Sequence, residues 1–104
     1  MAIREILEEE LENSLRMEQR YSEELAKLPK GSLVQKKVKG HVYHYLVSRE
    51  EGQVKLIYKG KVEPEEVARY AEIKKQRAQY RNLRAKAREQ IRFLRRALNA
   101  KAAG

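Results

Sequence analysis

Residues 32–59 read SLVQKKVKGHVYHYLVSREEGQVKLIYK, and their alternation decides the fold. Apolar and polar residues take turns along three short runs, the period of a strand with two unlike faces. Strands are expected at 32–38, 41–48 and 53–59. Lys39-Gly40 supplies a tight turn between the first two, and Arg49-Glu50-Glu51-Gly52 a longer one between the second and third. Connections this short join antiparallel neighbours, so the segment reads as a three-stranded meander. Parity places Val34, Val38, Tyr43, Tyr45, Val47, Val54, Leu56 and Tyr58 on one face, joined by Lys36 and His41 near one end. The other face carries Gln35, Lys37, His44, Ser48, Gln53, Lys55 and Lys59, with Leu33, Val42, Leu46 and Ile57 among them. The first face is expected to be core, with Tyr45 opposite Leu56, and the second to be a basic solvent face.

Both flanks read as helices. Ile3, Leu7, Leu11 and Leu15 recur every four residues, and Tyr21, Leu25 and Leu28 continue the stripe. This predicts a helix over 3–28, closed by Pro29 and Gly31. A second helix is expected from Pro64, a residue suited to the first helical position, with Glu65 and Glu66 where the helix dipole favours negative charge. No Gly or Pro interrupts it up to residue 101. Ala87, Ile91, Leu94 and Leu98 step 4-3-4, a coiled-coil seam, which Arg77 and Arg84 weaken upstream. The expected architecture is α+β: one domain over 1–104, a long antiparallel, coiled-coil-like helical hairpin with a three-stranded antiparallel β-meander (32–59) inserted at its tip.

The charge is unevenly placed. The whole chain carries +9, but residues 1–28 hold eight Glu against four basic residues, while 65–104 hold twelve Lys/Arg against four Glu. An acidic helix beside a basic one can pair, and the remaining excess favours anionic partners. The chain has no Cys, which excludes disulfides and thiolate metal sites. It also has no Asp, the usual Mg²⁺ ligand. The acidic start at Met1-Ala2-Ile3-Arg4-Glu5 does not read as a signal peptide, and no apolar run is long enough to span a membrane. A cytoplasmic protein with no membrane partner is expected.

Candidate chemistry is sparse. His41 and His44 are three apart on one strand, so they face opposite sides and cannot share a metal ion. Glu8, Glu9, Glu10 and Glu12 read as a solvated helix face. Ser32 after Gly31 lacks the rest of a phosphate loop. No nucleophile sits by a general base. No enzyme activity, metal, cofactor or small-molecule substrate is therefore expected. Tyr43, Tyr45 and Tyr58 are assigned to the core in preference to a base-stacking platform. Lys37, Lys55 and Lys59 with His44 are expected to form one basic patch for nucleic acid on the outer sheet face. The basic residues of the second helix, from Lys74 to Arg96, are expected to spread around it, some pairing with Glu of the first helix.

Gly31-Ser32-Leu33, Lys39-Gly40, Tyr43, Tyr45-Leu46, Gly52, Val54-Lys55 and Tyr58-Lys59-Gly60-Lys61, between long helices, resemble a family of small uncharacterised prokaryotic and phage proteins. That resemblance covers most of the chain and implies a fold without an activity. Residues 39–61 are also loosely similar to the amino-terminal domain of tyrosine recombinases. There a small sheet backed by a helix lies in the DNA major groove. The two flanking helices depart from that domain, and none of its catalytic residues is present.

The leading expectation is a small non-enzymatic nucleic-acid-binding protein, acting as a homo-oligomer, most simply a dimer, through its helices. The alternative is a structural or adaptor coiled-coil protein that binds another protein. A weaker third is an enzyme whose site forms only between subunits.

Overall fold

The computed structural model describes residues 2–103, the last three through their backbone only. Element order is α1 (Ile3–Lys27), β1 (Ser32–Val38), β2 (His41–Glu50), β3 (Gln53–Gly60) and α2 (Pro64–Ala103). Two long helices with a three-stranded antiparallel sheet between them in the chain make this an α+β fold. The described residues gather into two compact units: α1 with α2 from Ala78 onward, and Leu28–Arg77.

The first unit is an antiparallel helix pair. Tyr21 meets Tyr80 with ring centroids 6.3 Å apart, and Glu18 lies 3.6 Å from Arg88. Numbers that fall along α1 thus meet numbers that rise along α2. On α2 the buried residues are Ala87, Ile91 and Leu94, the last only 2% exposed. With half-buried Tyr80, Arg84 and Leu98 they step 4-3-4-3-4, as the seam reading expected downstream of Arg84. The seam of α1 is Leu7, Leu11, Ser14, Glu18, Tyr21 and Leu25, with the same steps. Here the every-four reading needs correction. Ser14 is buried and Leu15 is exposed, because a strict four-residue step drifts around a 3.6-residue helix, whereas alternating fours and threes do not. Ile3, expected on the stripe, is also exposed.

The second unit is the meander with the first half of α2. Both hairpins close on two-residue turns whose central residues have positive φ: Lys39 (50°) with Gly40 (78°), and Glu51 (51°) with Gly52 (78°). This pattern matches the right-handed strand twist, and Gly takes it without steric cost. The first turn is as expected. The second is two residues rather than four, so β2 runs on to Glu50, which pairs with Gln53. The β2–β3 register is therefore displaced by two: Val47 faces Leu56 and Tyr45 faces Tyr58, not Tyr45 facing Leu56. A shift of two preserves parity, so each residue keeps its expected face. A bulge between His44 and Tyr45 leaves Lys59 as the extra residue.

Which face is covered is the larger correction. The tyrosine face, expected to be core, is open: Leu56 is 68% exposed, and Val34, Val38, Val54 and Tyr58 are exposed too. The covered face is the one expected to meet solvent, where His44 and Ser48 are buried and Leu33 and Leu46 half-buried. Gln35 and His44 share a cleft with Val67, Tyr70 and Lys74 of α2. Arg77, which weakens the seam reading, here donates to the carbonyls of Pro29 (2.6 Å) and Gly31 (3.3 Å), tying α2 to the bend before β1.

α2 starts at its expected place. Glu63 caps it, its carbonyl accepting from the N–H groups of Glu66 and Val67, and Pro64 occupies the first turn, where its missing N–H costs nothing.

Candidate nucleic-acid interface

The open face is built by the pairing of β2 with its two neighbours. Ser32↔Val47, Val34↔Tyr45, Lys36↔Tyr43 and Val38↔His41 come from β1; Tyr45↔Tyr58, Val47↔Leu56 and Arg49↔Val54 come from β3. Residues opposite each other share a face. The aromatic rings therefore form a row across the sheet. His41 to Tyr43 is 6.3 Å between ring centroids, Tyr43 to Tyr58 6.3 Å, and Tyr45 to Tyr58 5.3 Å, all tilted. Beside the row a shallow apolar groove is lined by Val34, Tyr45, Val47 and Leu56, with Lys36 at its margin.

The electrostatics of this face have one sign. Its charged positions are Lys36 and Arg49, and no carboxylate lies among its paired residues. The unit as a whole, Leu28–Arg77, holds twelve Lys/Arg against six Glu, a net +6. On the covered side, Glu50 is bound by Lys55 at 2.9 Å. The hydrogen bond and charge of Lys55 hold the Glu50 carboxyl below the usual carboxylate range.

The expected site residues are not brought together. Lys37 pairs with Val42 at one end of one edge strand, and Lys55 pairs with Ser48 toward the far end of the other. Six residues of β2 separate those levels, about 20 Å at 3.3 Å per residue. Lys55 is engaged by Glu50. His44 is buried, and its Nδ1 has no hydrogen-bond partner among the described residues. Lys59 is the extra residue of the bulge, paired with neither His44 nor Tyr45.

The sequence assigns Tyr43, Tyr45 and Tyr58 to the core, whereas their face is the open one. A signal against that assignment was available in α2. Between Pro64 and Arg77 its large apolar residues are Val67, Tyr70 and Ile73, too few to cover three tyrosines and five aliphatic residues.

The basic residues of α2 also differ from expectation. Rather than spreading evenly, Arg81, Arg84, Arg88 and Arg92 line one cleft of the helix surface, floored by Ala85. Among the described residues only Arg88 of these four has a carboxylate partner, Glu18 of α1.

The family model described as Domain of unknown function (DUF6788) matches residues 3–69. The chain belongs to this family. The DUF6788 match takes in α1, the whole meander with its aromatic row, and the first six residues of α2. No curated protein and no solved structure matches the chain. Among the described residues no helix is long and apolar enough to cross a membrane, and no three His, Cys, Asp or Glu side chains are grouped to hold a metal ion.

Proposed function

We propose that this chain is a non-enzymatic nucleic-acid-binding module that takes an unpaired DNA or RNA strand on the open face of the meander. The observation that carries this reading is the row of exposed Tyr58 with half-buried Tyr43 and Tyr45, on a face whose charges are Lys36 and Arg49 without a carboxylate. Every base has a π-face, so exposed aromatic rings bind bases with little regard to sequence, at about 1–3 kcal/mol per stacked base. Bases must be unstacked to reach the rings, which selects single strands, loops and ends over duplex. Lys36 and Arg49 supply phosphate contacts, the term that makes such binding salt-dependent. The likeness of residues 39–61 to a helix-backed DNA-binding sheet supports the same face, since it lies opposite the helix. A strand partner of this kind fits a cytoplasmic location.

The test is a titration of mixed-sequence oligonucleotides, single- and double-stranded, into the full chain at low salt. Single strands bind more tightly than duplex. Tyr58→Ala weakens that binding by about 1–3 kcal/mol, roughly five- to hundredfold, without unfolding a chain in which Tyr58 is 59% exposed. Equal binding by Tyr58→Ala removes the stacking platform.

A second reading rests on the aliphatic end of the same face. Val54 and Leu56 are as exposed as Tyr58, and apolar residues clustered on one face suit a protein partner. No binding of any oligonucleotide at low salt moves the assignment to a protein adaptor.

A further inference from the structure

We infer that Arg81, Arg84, Arg88 and Arg92 form a second anion site, which holds consecutive phosphates of a bound strand's backbone. The four stand at steps of three and four residues, so they lie along one side of α2. At 1.5 Å per residue the row is about 16 Å long, enough to meet more than one successive phosphate of a strand. They line a cleft of about 260 Å³ whose remaining wall is Ala85, with no carboxylate in the lining.

This placement has a structural cost. Like charges three or four residues apart on a helix repel and weaken it. Glu18 offsets only Arg88, at 3.6 Å across the helix pair. Arg84 spends part of its stem on the seam, where it is half-buried, while Arg81 and Arg92 are exposed and, among the described residues, without an ion pair. A polyanion relieves that repulsion. Guanidinium groups grip phosphate oxygens through two parallel N–H donors, which an ammonium cannot do. The sequence places arginine at all four positions although lysine would serve solubility equally. That the anion is a nucleic-acid strand rests on the reading above, whereas the site itself does not depend on the tyrosine face.

Two titrants separate the two surfaces: inorganic polyphosphate, which has charge but no bases, and a mixed-sequence single-stranded oligonucleotide. Each is titrated into the parent chain, the double variant Arg81→Gln/Arg92→Gln, and Tyr58→Ala. Glutamine keeps helix propensity close to that of arginine, and circular dichroism checks that the helices persist. The double variant is expected to bind polyphosphate at least about tenfold more weakly, two charge-assisted contacts being lost. Its log–log salt slope on the oligonucleotide should fall by about 1.4, two contacts at about 0.7 each for a single strand. Tyr58→Ala should leave polyphosphate binding intact and weaken only the oligonucleotide. If the oligonucleotide ignores Tyr58→Ala but responds to the double variant, the arginine site stands and the stacking platform falls. Unchanged polyphosphate affinity and salt slope in the double variant overturn the arginine site. So does a double variant that loses self-association while retaining polyphosphate, because the row then belongs to the acidic α1 of a second copy.

Discussion

Gly31 shows how much one position decides. Its φ of +98° is a conformation that side chains other than hydrogen rarely adopt, and a Cβ there would lie 3.0 Å from Leu46 Cδ1 and 3.2 Å from the Val47 carbonyl oxygen. Its own carbonyl accepts from Arg77. Gly31→Ala should therefore destabilise the fold by more than about 1 kcal/mol, the left-handed conformation alone costing roughly 1–2 for an L-residue. A urea midpoint equal to that of the parent would contradict this. The contrast between Leu56 and Leu94 is equally direct. Leu94→Ala empties a fully buried site and should cost about 2–5 kcal/mol. Leu56→Ala removes a side chain that is 68% exposed and should stay within about 0.5 kcal/mol. Comparable losses at both positions would mean that the tyrosine face is covered after all. His44 adds a third case. A buried, unpartnered ring nitrogen carries a desolvation penalty of about 1–3 kcal/mol, so His44→Leu should leave stability unchanged or raise it.

At the scale of elements, what was legible in the sequence and what was not divide along a physical line. Short-range signals read correctly. Lys39-Gly40 marks its turn, Pro64 starts α2, and the 4-3 spacing of Ala87, Ile91, Leu94 and Leu98 marks the seam. Each of these is decided by a few neighbouring residues. The second turn misled because three polar residues precede Gly52, and composition does not say how many of them are paired. Alternation sorted the sheet residues into two faces correctly, even with the register displaced by two. It did not reveal which face α2 covers, because Leu33, Val42, Leu46 and Ile57 give the covered side apolar residues as well. That choice depends on where β3 ends and how α2 leaves it, at Gly60 with φ 71° and the bulge beside it. The candidate site inherited the error: its lysines were grouped by parity, while the structure separates them by strand and by level.

For the molecule as a whole, the helix pair leaves apolar side chains outside its seam. Ile6 and Met17 on α1 and Phe93 on α2 are exposed, Phe93 by 55%. Two helices enclose one seam between them and no more, so a second copy is the expected cover, a twofold dimer being the commonest arrangement. Light scattering at tens of micromolar should show a species of twice 12.3 kDa, and a monomer alone would exclude it. The position of the meander in the chain has a further, kinetic consequence. The two halves of the helical seam are separated by the fifty residues 28–77, a long loop to close while unstructured. The two hairpins are closed by turns of two residues and can form first at little entropic cost. Once formed, they shorten the effective loop and bring the helices within reach. The meander is then the nucleus and the seam the late event. Gly40→Ala and Gly52→Ala, which strain the turns, should slow refolding in stopped-flow, whereas Leu94→Ala should chiefly speed unfolding. The opposite partition would mean that the helices meet first and that the sheet is assembled between them.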